Sequence, residues 1–165
     1  MSHSKIFQIS SKRIDKDDYA SSSDFYDNSS DFADYIGDEE EDDDRRECIE
    51  HLADRLKDLF TLGDDGESLV YKGEDAIKSF LAEWADAIRQ QAQEVTAATV
   101  LDSMRRWELE RLCDETHLRT GYRVHIEEWN GGCAGPMGDL IEWVGDLKLK
   151  AGDVIYIGAV IDYHN

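Results

Sequence analysis

The sequence predicts an α+β fold: a small mixed or antiparallel sheet packed by about three helices, with an acidic, partly irregular N-terminal segment. Apolar residues recur at helical spacing through the middle of the chain. The C-terminal third instead has short apolar runs separated by glycine-rich turns, which is typical of strands. With 165 residues, 41% of them hydrophobic, the chain can bury one core. We therefore expect a single domain spanning residues 1–165.

Four segments have strand-like patterns. Lys5–Ser10 is short and apolar, and Asp153–Tyr163 is apolar on both alternations, as expected of a central strand. Ser68–Tyr71 and Gly121–Trp129 are shorter candidates. Leu140–Val144 fits either a strand or a short helix, because its apolar run is too short for periodicity to decide.

The first predicted helix spans Arg45–Leu62. Its apolar residues recur at i, i+3 and i+4, which places them on one stripe. Asp44 and Glu47 resemble a capping box at its start. Gly63 is well placed to end it, since glycine readily adopts the backbone conformation that follows many helices.

Two more helices are predicted at Glu74–Val95 and at about residues 97–116. The apolar stripe of the second helix does not continue into the third at 3.6 residues per turn, so we expect a break near Gln93–Thr99. Trp84 and Trp107 lie on or near these stripes and are predicted to be core residues. The apolar residues expected on the third helix are Val100, Leu101, Met104, Trp107 and Leu112.

The net charge of −20 is unusual and unevenly distributed. Residues 14–44 carry fourteen acids and one base, a net charge of −13, which leaves −7 for all other residues. Salt adaptation would acidify the whole surface, so this clustering makes it a weaker explanation. Direct binding to nucleic acid or to an anionic membrane is disfavoured because phosphates would repel the chain. A basic protein is the expected partner, recognised by the acidic segment 14–44 at the periphery of the core.

The predicted partner-binding residues all lie in this segment. Seven consecutive acids offer charge at nucleic-acid density, since duplex DNA carries one charge per roughly 1.7 Å and a helix rises about 1.5 Å per residue. The chain resembles the antirestriction DNA mimics as a class in length and charge, though not in any motif. The resemblance implies a non-enzymatic inhibitor of a nuclease or another nucleic-acid-binding protein. The predicted residues are Asp24, Asp27, Asp31, Asp34, Asp38, Glu39, Glu40, Glu41, Asp42, Asp43 and Asp44.

Two other interpretations of the acids remain open. Acidic runs are commonly solvated, and acids at the start of a helix are stabilised by its dipole by roughly 0.3–1 kcal/mol each. The acids could instead dock within the same chain on its most basic part. That part comprises Arg105, Arg106, Arg111, Arg119 and Arg123.

A small enzyme or ligand-binding domain is the alternative function. It would centre on the glycine-rich loop 130–138, with Cys133 and His125 or His117 as a thiol–imidazole pair and Glu127 nearby. The acidic surroundings argue against an activated thiolate, so no catalytic residue is predicted. A zinc site from Cys48, His51, Cys113 and His117 has ligand types that suit the ion, but it requires two helix ends to meet. We therefore predict no metal and no cofactor.

The expected compartment is the cytoplasm. Three cysteines do not make a disulfide framework, and the first residues lack the apolar core of a signal peptide. The longest apolar stretch, Val154–Ile161, is far shorter than a membrane span.

Overall fold

The structure is a computed structural model that describes residues 3–25, 33–114, 118, 120–129 and 133–164. Within these ranges, six strands form one mixed sheet: β1 (His3–Ser10), β2 (Tyr35–Glu39), β3 (Phe60–Leu62), β4 (Ser68–Tyr71), β5 (Arg123–Ile126) and β6 (Val154–His164). The α-helices are α1 (Asp42–Arg55), α2 (Glu74–Gln93), α3 (Ser103–Cys113) and α4 (Gly138–Asp146), and the 3-10 helices are Lys16–Asp18 and Ser22–Phe25. The α+β class and the mixed sheet are confirmed, with more helices than the three or so predicted.

Strand β6 is the centre of the sheet, as its doubly apolar pattern predicts. Its spatial neighbours give the order β3-β4-β6-β1-β5. Strand β1 runs antiparallel along one edge of β6, and it pairs in parallel with β5. The other edge of β6 is shared: β4 pairs with Val154–Tyr156, and β2 pairs with the end of the strand near Tyr163 and His164.

The sheet buries apolar side chains on both faces. The larger cluster includes Phe7, Leu52, Trp143 and Val160, and it joins the sheet to α1 and α4. The smaller cluster, on the opposite face, includes Ile6, Ala20, Phe25, Ile36, Ala159, Ile161 and Tyr163. Residues of the acidic segment thus cover part of the second face.

Helix α1 differs from its prediction at both ends. It ends at Arg55, and Phe60–Leu62 forms strand β3 against β4, so Gly63 does not end the helix. It begins after Glu41, whose side chain makes no capping hydrogen bond, so the Asp44–Glu47 capping box was wrong. The apolar stripe continued through Leu59 and Phe60 because both are buried in the strand and turn that follow.

The predicted break between the second and third helices is confirmed, because α2 ends at Gln93 and α3 begins at Ser103. The prediction that Trp107 is a core residue was wrong, because half of its side chain is exposed. Leu101 is 89% exposed, Met104 is 58% exposed and Trp107 is 49% exposed. Helix α3 packs on α2, and Trp84 of α2 donates a hydrogen bond to the Leu112 carbonyl.

Two further segments complete the comparison with the sequence. Leu140–Val144 lies within α4, which settles the choice between strand and helix. Strand β2 was not predicted, and it contains the first two residues of the acidic run. No helix in the described part of the chain has the length and hydrophobicity needed to cross a membrane.

Candidate acidic binding surface

The run Asp38–Asp44 does not adopt one conformation. Asp38 and Glu39 end strand β2, Glu40 and Glu41 connect it to the next element, and the last three acids form the first turn of α1. Their backbone is fixed to the sheet, because the Glu40 amide donates to the Val160 carbonyl at 2.8 Å. The run is therefore an ordered strand-to-helix junction.

This junction lines an open groove of about 1030 Å³, which we call the acidic groove. Its lining contains seven acids and one base, together with a tyrosine. The lining residues are Lys16, Asp17, Tyr19, Glu39, Glu40, Glu41, Asp42, Asp43 and Asp44. Asp38, which is not among them, is exposed. The groove therefore concentrates negative charge on a concave surface, where the low-dielectric walls strengthen its field.

Arg45, the first base after the run, points away from the groove. It is only 2% exposed, although arginine is seldom buried. Its Nε donates to the Gly158 carbonyl at 2.6 Å and its Nη2 to the Ile157 carbonyl at 2.7 Å. Its Nη1 donates to Glu67 at 3.0 Å, and its guanidinium lies 5.1 Å from the centre of the Tyr19 ring. Its hydrogen bonds are thus made to the sheet and to Glu67, and none is made to the acids of the run.

The position of Arg45 follows from the topology of the sheet. Between the parts of β6 that pair with β4 and β2, the carbonyls of Ile157 and Gly158 accept hydrogen bonds from the Arg45 side chain. A buried carbonyl without a partner costs about 1–3 kcal/mol. Arg45 therefore replaces a missing stretch of strand and anchors the start of α1 to the sheet. The sequence held a signal for this, since Arg45 precedes Ile49 and Leu52 on the buried stripe of the helix.

Two lysines pair with acids of the groove. Lys16 binds Asp42 at 2.8 Å, which raises the pKa of the lysine and lowers that of the aspartate. Lys5 binds Glu40, and also Asp162 at 3.1 Å. Burial lowers the pKa of Lys5, but its hydrogen bonds to Glu40 and Asp162 outweigh this, and the pKa lies above the usual value. The remaining acids of the run form no ion pair within the described residues: Asp38, Glu39, Glu41, Asp43 and Asp44.

The four acids predicted upstream of the run are placed differently. Asp24 lies in the 3-10 helix Ser22–Phe25, where it accepts hydrogen bonds from the amide and hydroxyl of Ser21. Asp34 is exposed beside the start of β2, and its amide donates to the His164 carbonyl. Asp24 and Asp34 therefore do not share one helical face. Asp27 and Asp31 lie outside the described residues.

The described arginines of the third-helix region bind elsewhere than on the acidic run. Arg105 pairs with Glu94 at 2.6 Å and with Asp102 at 3.4 Å. The Arg106 side chain donates to the Val100 carbonyl, and Arg111 lies over the Trp107 ring. Arg123 donates to the Ala134 carbonyl. Each of the four described arginines therefore has a local partner. Arg119 is outside the described residues.

The glycine loop shows a backbone contact where a thiol–imidazole pair was considered. His125 is buried, and its Nδ1 lies 3.2 Å from the carbonyl oxygen of Cys133. Its Nε2 lies 3.5 Å from Glu127, and its ring meets the edge of Phe25. Cys133 itself is exposed. Residues 130–132 of the loop and His117 lie outside the described residues.

The cysteines considered for zinc do not form a metal site within the described residues. Cys48 is partly buried in α1, and burial raises the pKa of its thiol, which disfavours the thiolate that binds zinc. Cys113 is exposed at the end of α3. Of the described side chains, the group that could hold a metal ion is His3, Asp162 and His164, which sequence reasoning missed.

In comparisons with known proteins, no family model matches the chain, and neither a curated protein nor a solved structure gives a significant match.

Proposed function

We propose that the protein is a non-enzymatic binding protein whose acidic groove receives a basic partner protein. The observation that carries the proposal is that most acids of the run are exposed and lack an ion pair among the described residues. Asp38, Glu39, Glu41, Asp43 and Asp44 are exposed and have no ion pair among the described residues. Arg45, the closest base in sequence, is held beneath them by carbonyls of β6 and by Glu67.

The physical basis of the proposal is the electrostatic repulsion between these acids. Acids crowded on one groove repel one another, and this repulsion opposes folding. A partner that brings arginine or lysine side chains into the groove relieves the repulsion and adds charge-assisted hydrogen bonds. Electrostatic attraction also accelerates the encounter and makes it sensitive to salt. The groove therefore favours a basic partner that associates rapidly.

In its sharper form, the proposal is that the partner surface normally binds nucleic acid. Duplex DNA carries a charge every roughly 1.7 Å of its axis, or about 3.4 Å along one strand. Of the acids in the run, the groove presents one from the end of β2, two from the connection and three from the first turn of α1, where the rise is about 1.5 Å per residue. The rise of the helical acids is close to the spacing of charge along the axis of duplex DNA. The protein would then inhibit its partner by occupying a groove meant for nucleic acid.

The test compares two variants with the same change in net charge. The groove variant carries Glu39→Gln, Glu41→Gln, Asp43→Asn and Asp44→Asn, and it leaves the ion pairs of Lys5 and Lys16 intact. The control variant neutralises four exposed acids on other helices: Asp75→Asn, Glu83→Gln, Glu110→Gln and Glu142→Gln. Each variant and the natural chain are used as bait in host extracts at low and at high salt.

We expect the natural chain and the control variant to capture basic nucleic-acid-binding proteins at low salt, and the groove variant to lose them. Captured proteins should be released by added duplex DNA, since both ligands would compete for one basic surface. Retention of the same proteins by the groove variant, or equal loss from both variants, would contradict the proposal. Capture that duplex DNA does not displace would leave a basic partner but refute the mimic form.

A further inference from the structure

A second cluster of ionisable side chains lies at the end of the sheet, separate from the acidic groove. His3 begins β1 and His164 ends β6, and the two are direct cross-strand partners. Asp162 precedes His164 by two residues, so its side chain lies on the same face of β6. Three potential metal ligands therefore meet although they come from opposite ends of the chain.

The distances within this cluster suit a coordination shell. Nδ1 of His3 and Nε2 of His164 each lie 3.2 Å from Oδ2 of Asp162, and all three ligand atoms lie within 4.8 Å of one another. Tetrahedral zinc with bonds of about 2.0–2.1 Å would separate neighbouring donor atoms by about 3.3 Å. Two of the three separations already match that value, so small side-chain rotations would complete the geometry.

Neighbouring side chains orient the carboxylate of Asp162 toward the two histidines. Lys5 binds Oδ1 of Asp162 at 3.1 Å, which leaves Oδ2 facing the two imidazoles, and Glu40 offsets the charge of Lys5. Ligating carboxylates are commonly fixed by such a second hydrogen bond.

Neighbouring residues enclose one side of the cluster and leave the other accessible. The Tyr35 ring of β2 meets the His164 ring edge-on, with ring centres 5.4 Å apart. Gly37, also on β2, has no side chain; a Cβ there would come within 3.4 Å of the Asp162 Cβ. His3 is mostly exposed, so an ion can enter from solvent.

We propose that His3, Asp162 and His164 bind one divalent transition-metal ion, with Zn²⁺ as the preferred physiological ion. Two imidazoles select zinc, nickel, copper or cobalt over magnesium and calcium, which prefer oxygen ligands. Three protein ligands leave at least one coordination position for water or an exchangeable ligand. The ion would also join the ends of β1 and β6, and so it would stabilise the folded chain.

The experiment titrates Zn²⁺ into the full chain by calorimetry, with excess Mg²⁺ present to occupy weak carboxylate sites on the acidic surface. We expect one Zn²⁺ per chain and a higher melting temperature. His3→Gln, His164→Gln and Asp162→Asn should each weaken binding by more than about tenfold. His51→Gln, an exposed histidine of α1, serves as the matched control and should bind zinc unchanged. Circular dichroism checks that each variant is folded.

Two further measurements make the result decisive. Co²⁺ bound by the natural chain should show the visible absorption bands of imidazole coordination, and these should disappear in His3→Gln. The groove variant defined above should retain full zinc affinity, so that failure of the metal proposal and failure of the acidic-groove proposal are distinguishable. Absence of stoichiometric binding overturns the proposal. So does binding that survives both histidine substitutions, or that falls equally in His51→Gln.

Discussion

The acidic groove and helix α3 are both exposed surfaces, but they are built in opposite ways. The groove stands on β2 and the first turn of α1, which Arg45 and the Glu40 amide fix to the central strand. Helix α3 packs on α2 and has no buried residue. The groove therefore presents charge on backbone that is bonded to the central strand, whereas α3 presents apolar side chains on a helix that packs mainly on α2.

The two regions also use their charges differently. The described arginines near α3 are paired with neighbours, among them Glu94 and Asp102 for Arg105. In the groove, the two lysine pairs leave five acids of the run without an ion pair among the described residues. Charge density along a sequence therefore does not indicate which charges are available to a partner. Availability depends on where the sheet places the opposite charges.

The largest effect on stability is expected from replacing Arg45, the buried arginine that anchors the start of α1. Arg45→Met keeps much of the side-chain volume but leaves the Ile157 and Gly158 carbonyls without their donor. We expect the free energy of unfolding to fall by about 2–6 kcal/mol, because two buried carbonyls each lose a hydrogen-bond donor at a cost of about 1–3 kcal/mol. Arg46→Met is the control, because Arg46 is exposed and lies 3.6 Å from Glu67; its effect should stay within about 0.5 kcal/mol. Equal effects in urea denaturation would show that Arg45 does not anchor α1.

The elements that could be predicted from the sequence are those whose own residues carry a clear hydrophobic pattern. Strand β6 is apolar on both faces, β1 contains a short apolar run, and α2 has a clear helical period, so each was recognised from its own residues. Strand β3 was absorbed into the first helix because Leu59 and Phe60 extended its apolar stripe, and no glycine or proline marks the end at Arg55. Only pairing with β4, which local sequence cannot show, makes Phe60–Leu62 a strand.

The candidate sites depended even more on distant contacts. Strand β2 ends in Asp38 and Glu39, residues with low strand propensity, and it forms because β6 offers an edge. The metal cluster has a local signal in Asp162 and His164 alone, since residues two apart share a face of a strand. His3 joins them through the register of β1 on β6, which no local pattern encodes.

A core residue of α1 and an apolar residue just before α3 should differ in their contribution to stability. Leu52 of α1 is fully buried, and Leu52→Ala should lower the free energy of unfolding by about 2–5 kcal/mol because it leaves a cavity. Leu101 is 89% exposed, and Leu101→Ala should change the free energy of unfolding by less than about 0.5 kcal/mol. Thermal or urea denaturation at low protein concentration measures both. A large effect at Leu101 would mean that this surface is covered in solution.

The smallest effects on stability are expected from substituting single acids. They should differ between Glu128, which accepts hydrogen bonds within the fold, and Glu39, which lines the groove. Glu128 accepts hydrogen bonds from the Ser10 hydroxyl at 2.6 Å and from the Ser11 hydroxyl at 2.8 Å. Burial raises the pKa of Glu128, but these bonds outweigh it, and the pKa is lowered in the folded chain. Its ionised form therefore stabilises the fold at neutral pH by about 1 kcal/mol after allowance for solvent screening. Glu128→Gln should remove that contribution.

The dependence on pH and salt separates Glu128 from Glu39. Since the unfolded chain protonates Glu128 near pH 4.3 or so, the difference between the natural chain and Glu128→Gln should shrink as the pH falls below about 4. Glu39→Gln should instead raise the free energy of unfolding by a few tenths of a kcal/mol at low salt, because it relieves repulsion in the groove. High salt should abolish that gain by screening. If Glu39→Gln destabilises the chain at every salt concentration, Glu39 has a structural partner and is not available to a basic protein.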